Sequence, residues 1–222
     1  GRGGLVRDLT AGEIVDQVIY ACRCLGRRVS HVVVMGMGEP LLNLDNVMAA
    51  LDRIGDPSLL GVGARRVTVS TSGIPQGIRR LAAAGRPWNL ALSLHATSDE
   101  RRARLIPPAH RAPLADILAA CRLYRKQTGR LVTLEYALIA GGNDTPEEAG
   151  QLARIARELD AKVNLIACNP TASTHRAPDA RAIAAFERRL AAAGARVTVR
   201  RSKGEEIAAA CGQLRRQPSP ST

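Results

Sequence analysis

The sequence has no long apolar run and no segment typical of a signal peptide. Its apolar stretches are short and broken by charged residues, so none reaches the roughly 20 residues of a membrane-spanning helix. The opening GRGGLVRDLT also has no apolar centre of the kind that directs secretion. These absences predict a soluble, cytoplasmic protein that does not act in a membrane.

A disulfide framework and a metal site are also not indicated. The five cysteines are odd in number and scattered along the chain, so we expect reduced thiols. Cys22 and Cys24 lie two residues apart on a predicted helix, do not share a face, and are interpreted as helix packing. Cys121 and Cys168 are interpreted as core residues. His95 has no second histidine or paired carboxylate at ligand spacing, so no zinc site is predicted.

Lysine is scarce, although the chain is strongly basic. Lys and Arg together number 32 against 20 for Asp and Glu, which gives a formal net charge of +12. Such an excess favours a polyanionic partner such as nucleic acid. Only Lys126, Lys162 and Lys203 are lysines, however, and an Arg- and Ala-rich chain can equally reflect compositional bias. Charge alone leaves both interpretations open.

The chain alternates predicted helices and strands from end to end. A helix beginning at Thr10 and Glu13, which have capping-box spacing, precedes the strand HVVVMG. Five further strands follow, each separated from the next by a helix, in RRVTVSTSG, WNLALSLHA, LVTLEYALIAGG, AKVNLIACNP and ARVTVRRSKG. The strands are interpreted as apolar throughout, which is typical of a parallel sheet covered by helices. The rhythm predicts an α/β fold, either a doubly wound sheet or a full or partial TIM-like barrel.

Both architectures place function at the carboxyl ends of the strands, and in this sequence those ends are polar and rich in glycine. The segment GMGEPLLN lacks the spacing of a dinucleotide-binding loop and contains no P-loop lysine. Glu39, between Gly38 and Pro40, is suited to accept hydrogen bonds from an ammonium group, or it is a solvated residue of a tight turn. Cys211, directly before Gly212, is either a packing residue or a nucleophile.

The segments GMGEPLLN, VTVSTSGIP, LALSLHA, LVTLEYALIAGGND, VNLIACNP and VRRSKGEEIAAACGQL, taken in this order, closely resemble the RlmN/Cfr family of radical S-adenosylmethionine (SAM) RNA methyltransferases. The resemblance runs from Gly3 to about Leu214, and the segments STSG and AACGQL are more similar to the RlmN branch. It implies a partial (β/α)6 TIM-like radical SAM barrel over residues 1–214, followed by a disordered basic tail over 215–222. It also implies methylation of carbon 2 of adenosine in 23S rRNA and tRNA.

The resemblance further implies a set of SAM contacts and one methyl carrier. The SAM contacts are Gly38, Glu39, Ser70, Ser93, Leu94, His95 and Asn169. The carrier is Cys211, which takes a methyl group from one SAM molecule. Because carbon 2 of adenine is not nucleophilic, the family then delivers that group by radical chemistry, which a second SAM molecule starts.

The sequence departs from the family in several respects, since the family's second reactive cysteine, its proton-accepting Glu and its N-terminal accessory domain are missing along with its cluster motif. The family binds a [4Fe-4S] cluster through a CxxxCxxC motif expected just before Gly1, and no three cysteines of this chain have that spacing. We therefore expect a fragment that lacks the first barrel strand, leaves an edge of HVVVMG unpaired and binds no cluster by itself. The complete protein is expected to be a monomer that receives electrons from a donor such as flavodoxin.

Three hypotheses about function follow. The first is the core of an RNA methyltransferase, inactive as it stands. The second is a non-catalytic RNA-binding remnant of such an enzyme. The third is a radical SAM enzyme that acts on a small molecule, against which the AACGQL ending argues.

Overall fold

The computed structural model describes residues 5–36, 38–106, 112–167 and 176–200, in which helices and parallel strands alternate. The strands are β1 (Val32–Val34), β2 (Val67–Thr71), β3 (Asn89–Ser93), β4 (Val132–Leu138), β5 (Lys162–Ala167) and β6 (Arg196–Arg200). The helices are α1 (Ala11–Leu25), α2 (Leu44–Gly55), α3 (Pro75–Ala83), α4 (Asp99–Leu105), α5 (Leu114–Thr128), α6 (Pro146–Glu158) and α7 (Ala180–Ala192). A short 3₁₀ turn, Ala64–Arg66, precedes β2.

The strands form one sheet in the order of the chain, β1-β2-β3-β4-β5-β6, and every pairing is parallel. A doubly wound sheet reverses its strand order at a switch point. The sequential order found here therefore excludes that architecture and indicates the barrel type. Within the described ranges β1 pairs only with β2, and β6 forms the opposite edge. The prediction of an open, partial α/β barrel with an unpaired edge at β1 is confirmed.

The two faces of the sheet differ, and here the prediction of strands that are apolar throughout is wrong. On one face Val69, Leu92 and Leu134 are completely buried beneath the helices. On the other face most side chains are small or polar, among them the half-buried Thr133 and Asn164, although Val33 and Ile166 also lie there. Because side chains alternate along a strand, the strands contribute an apolar row to the core and a more polar row to the open face.

The helix boundaries follow local signals in the sequence. Thr10 and Glu13 form the predicted capping box at the start of α1, and Gly26 ends that helix in the left-handed conformation at φ 62°. Helix α4 was not predicted, because its sequence DERRARL has no apolar periodicity. Its start is nevertheless marked by the N-cap Ser98 and by two acidic residues in the first turn.

The cysteines divide between core and surface. Cys121 is completely buried, as predicted, and burial raises the pKa of its thiol to about 12. Cys22 is half-buried, whereas Cys24 is exposed, so the packing interpretation is wrong for Cys24. Its position on the outward face of α1 explains this, since that helix has no fully buried residue. Cys168 lies outside the described residues.

None of the helices in the part of the chain that the structure describes has the length and apolarity needed to cross a membrane. The same residues contain no cluster of three or more His, Cys, Asp or Glu side chains arranged to hold a metal ion.

Candidate functional site

The predicted ligand-contact residues that the structure describes lie at the carboxyl edge of the sheet. Gly38 and Glu39 follow β1, Ser70 lies near the end of β2, and Ser93, Leu94 and His95 end or follow β3. Asn169 and Cys211 lie outside the described residues. We call the described strand ends, with the loops that follow them, the rim.

Glu39 is already engaged by the neighbouring strand. Its carboxylate Oε2 accepts hydrogen bonds from the backbone N–H and the hydroxyl of Ser72, both at 2.7 Å, and Oε1 accepts one from the N–H of Leu41 at 3.1 Å. The residue is only 8% exposed. Since a carboxylate offers about four acceptor positions, these three bonds leave room for one more donor. Glu39 therefore joins the loop after β1 to the end of β2 and can still contact a ligand.

Arg102 links the ends of β2 and β3. This residue of α4 is 4% exposed. Its Nη2 donates to the carbonyl of Ser72 at 2.7 Å, and its Nη1 donates to the carbonyls of Leu94 at 2.5 Å and Ser93 at 3.3 Å. Burial lowers the pKa of the Arg102 guanidinium from its ordinary value, but an arginine remains charged at neutral pH.

His95 follows β3 in the left-handed conformation, at φ 56°, which is uncommon for a residue other than glycine. Its Nδ1 faces the backbone N–H of Ala137 at 3.0 Å and must accept that hydrogen bond, so the proton of the neutral ring lies on Nε2. Burial lowers the pKa of the imidazole to about 4, and the positive charge of Arg102 acts in the same direction. His95 is therefore a neutral side chain whose Nε2–H can donate to a ligand at pH 7.

Asn143 fixes the other side of His95. Its side-chain nitrogen donates to the carbonyls of His95 and Ala137, both at 2.7 Å, and its Oδ1 accepts from the N–H of Ile139 at 2.7 Å. The residue is 1% exposed. One amide side chain thus joins the loop after β3 to the end of β4.

A buried carboxylate network supports the rim beneath α4 and α6. Glu148 accepts hydrogen bonds from Tyr136 at 2.6 Å, Thr97 at 2.8 Å and Arg101 at 2.5 Å. Burial is the main cause that raises the pKa of the Tyr136 phenol above its ordinary value, and the nearby Glu148 acts in the same direction. Tyr136 is therefore the proton donor in this pair. Glu148 thereby ties β4, α4 and α6 together where they meet.

The open face carries a second buried carboxylate close to the rim. Glu135 of β4 is 6% exposed, pairs in register with Ser93, and accepts a hydrogen bond from the Asn164 amide at 2.8 Å. Burial raises the pKa of Glu135 from its ordinary value. The sequence indicated this residue only indirectly, by a glutamate in the middle of an otherwise apolar strand.

The structure therefore brings the predicted residues on β1, β2 and β3 into one hydrogen-bonded rim. Gly38, at φ 92°, has open space where a side chain would begin, so a ligand can approach the backbone beside Glu39. Sequence reasoning missed Ser72, Arg102 and Asn143. Ser72 and Asn143 lie within the polar segments STSG and GGND, whereas no sequence pattern indicated Arg102 once α4 was overlooked.

Comparison with known proteins agrees with this geometry. Residues 1–153 match the family model described as the radical SAM superfamily. The chain is 54% identical over 217 residues to a probable dual-specificity RNA methyltransferase RlmN of Symbiobacterium thermophilum. The aligned region covers 96% of this chain and 58% of that protein. The chain is 46% identical to the protein of the same description from Thermosynechococcus vestitus, of which it covers 64%. The chain thus spans about three fifths of the length of these relatives.

Solved structures show the same likeness. A radical SAM methyltransferase from Sphaerobacter thermophilus superposes with a TM-score of 0.92 at 46% identity, over 97% of this chain and 64% of that chain. A domain of a pyruvate-formate lyase-activating enzyme from Bacteroides vulgatus has a TM-score of 0.60 at 17% identity, over 78% of this chain and 100% of that domain, and shares the fold. The family match covers more than half of the chain, and the sequential parallel sheet agrees with it, so the chain belongs to the radical SAM superfamily.

Proposed function

We propose that this chain is the SAM-binding core of an RNA methyltransferase that methylates carbon 2 of adenosine in 23S rRNA and tRNA, with Cys211 as the methyl carrier. The observation that carries the proposal is the rim, where Glu39, Ser70 and the Ser93–His95 segment meet at the carboxyl edge of the sheet. The similarity to proteins described as RNA methyltransferases and as a radical SAM methyltransferase supports it. The segment AACGQL, which contains Cys211, supports the assignment of the carrier.

The rim residues fit SAM. The remaining acceptor position of Glu39 suits the ammonium group of the methionine part, since a buried carboxylate forms strong hydrogen bonds with charged donors. The open space beside Gly38 lets that part lie against the backbone. His95 Nε2–H and the Ser93 hydroxyl supply neutral donors further along the rim. When bound, SAM supplies the methyl group.

The residues of this chain would then act on the bound SAM in a defined order. Glu39 and the Ser93–His95 segment would orient it at the carboxyl edge of the sheet. The Cys211 thiolate would accept the methyl group, the bond from that carbon to the sulfonium sulfur would break, and S-adenosylhomocysteine would leave with the electron pair.

The described residues do not fit an iron–sulfur cluster, because they hold no group of three thiolates or other metal ligands. The similarity to RlmN proteins is therefore the only support for four parts of the proposal: the cluster ligands, the RNA contacts, the electron donor and the monomeric state. The basic character of the chain, +12 overall, supports an RNA substrate.

The test follows the methyl group. The protein is produced from its complete reading frame and incubated with methyl-labelled SAM and an adenosine-containing RNA, and the peptide around Cys211 is analysed by mass spectrometry. We expect an S-methyl mass increment at Cys211 and labelled adenosine in the RNA, and neither in Cys211→Ala. Cys121→Ala is the matched control, because Cys121 is a buried core thiol that should lose stability but not labelling. Labelled RNA formed by Cys211→Ala would contradict the carrier role.

A further inference from the structure

We infer that Arg102 is the positioning residue that holds the two halves of the SAM site in register. The first half comprises Glu39 and Ser72, and the second comprises Ser93, Leu94 and His95. The inference rests on the proposed SAM site and adds to it a residue that touches no ligand. It is carried by three hydrogen bonds from one buried guanidinium to backbone carbonyls on two different strands.

These bonds begin where the sheet ends. The pairing between β2 and β3 stops at Thr71 and Leu92. Ser72 directly follows β2, Ser93 is the last residue of β3 and Leu94 follows it, so all three lie just beyond that last pair. Beyond that pair, no backbone hydrogen bonds between β2 and β3 among the described residues fix the distance between the two segments. The guanidinium spans the gap, with Nη2 on the β2 side and Nη1 on the β3 side.

The same two segments carry the groups that face the ligand. The N–H and hydroxyl of Ser72 hold the Glu39 carboxylate, while the carbonyl of Ser72 accepts from Arg102. Leu94, whose carbonyl also accepts from Arg102, directly precedes His95. A shift of either carbonyl therefore moves Glu39 relative to His95. Asn143 holds His95 only from the β4 side and cannot correct that movement.

The chemistry requires arginine at this position. Its planar fork carries five N–H donors, which can serve carbonyls that lie in different directions. A lysine ammonium keeps the charge but concentrates its donors on one atom, so it cannot reach both strands at once. Nearby Asp99 offsets part of the cost of the buried charge, as its effect on the Arg102 pKa shows. Arg102→Lys consequently removes the bridge while leaving the charge in place.

The experiment compares Arg102→Lys with Arg104→Lys, an exposed residue of the same helix, in the purified chain. Calorimetry measures the affinity for S-adenosylhomocysteine, and amide hydrogen exchange is followed over 70–73, 92–96 and the distant strand β5. For Arg102→Lys we expect affinity to fall at least about tenfold, because a small misplacement of binding groups is costly. We expect exchange to rise in 70–73 and 92–96 and to stay unchanged in β5. Arg104→Lys should match the wild type in both measurements.

Each outcome decides the inference. Wild-type affinity with unchanged exchange in Arg102→Lys would overturn it, and so would faster exchange throughout the sheet, which would mark a general structural role. Should Arg102→Lys fail to fold, the wild-type chain still gives a test, because added S-adenosylhomocysteine must slow exchange in 70–73 and 92–96 together. Protection of only one of the two segments would overturn the inference. If the wild-type chain does not bind S-adenosylhomocysteine, the proposed SAM site is refuted instead. Hydrogen exchange over 70–73 and 92–96 in Arg102→Lys would still show whether Arg102 holds the two segments together.

Discussion

Replacing Glu39 by glutamine separates its two roles, because this change alters one atom of the carboxylate and preserves its size. The glutamine carbonyl can keep the bonds from Ser72, but the new amide nitrogen then faces the Leu41 N–H, and two donors cannot pair. An unsatisfied buried donor costs about 1–3 kcal/mol, so we expect the free energy of unfolding to fall by about that amount. Urea denaturation of the purified chain measures it.

Ligand binding should weaken as well. The acceptor position left on Glu39 lies on Oε1, which becomes the amide nitrogen, so that position is lost together with the negative charge. Hydrogen bonds that involve a charged group contribute about 1.5–3 kcal/mol, which corresponds to about a 10- to 150-fold loss of affinity. Calorimetry with S-adenosylhomocysteine, which carries the same ammonium group as SAM, measures this loss. Conditions are chosen so that the variant is fully folded throughout the titration.

Asp45→Asn is the matched control. This carboxylate lies in the first turn of α2 and forms an ion pair with Arg80, but its side chain is 79% exposed. Exposed pairs contribute about 1 kcal/mol or less, so stability should change little and affinity should not change. Unchanged affinity in Glu39→Gln would show that Glu39 does not bind the ligand and is only a residue of a tight turn. Unchanged stability would show that its bonds to Ser72 and Leu41 do not hold the loop.

Two further predictions concern pH and packing. The folded pKa of His95, about 4, lies below its ordinary value of 6.5, so the unfolded chain binds the proton more readily, and stability should fall as the pH drops from about 6.5 to about 4. Denaturation at several pH values should show a smaller fall for His95→Asn, and equal falls in both proteins would contradict the assignment. A methyl group at Gly77 would lie 2.7 Å from Leu41 Cβ, so Gly77→Ala should destabilise the chain by about 1–3 kcal/mol in a thermal melt despite the better helix propensity of alanine. Gly150→Ala, where nothing lies within 4 Å, should instead be neutral or stabilising by up to about 1 kcal/mol, and an equal loss at both positions would refute the packing explanation.

Local patterns in the sequence were enough to predict the strands, their parallel arrangement and the edge at which the described candidate site residues lie. Apolar runs and helix caps are short-range signals, and the capping box at Thr10 and Glu13 shows how directly they act. The short-range pattern could also place Glu39 at the rim. It could not show that Ser72, 33 residues later, would donate two hydrogen bonds to its carboxylate, because that contact exists only once β1 and β2 pair.

Arg102 illustrates the same limit more strongly. On the sequence it is one of several arginines in the polar stretch DERRARL, and nothing distinguishes it from Arg104. The fold buries the first and exposes the second, because the turn of α4 aims Arg102 at the gap between two strand ends. The polar open face of the sheet was overlooked for a related reason. Many of its residues are small and uncharged, so the strands could be interpreted as apolar throughout.

The two-faced sheet also shapes how this chain tolerates mutation. In β4, Leu134 and Tyr136 are completely buried under the helices, while Glu135 between them lies on the open face. Adjacent codons are therefore under different selection: one position is constrained by the free energy of folding, and the next by what the open face must accommodate. The residues of the open face can therefore change at every second position of a strand while the core composition stays fixed. A deletion of one residue, by contrast, would exchange the two sets of side chains and lose both properties at once.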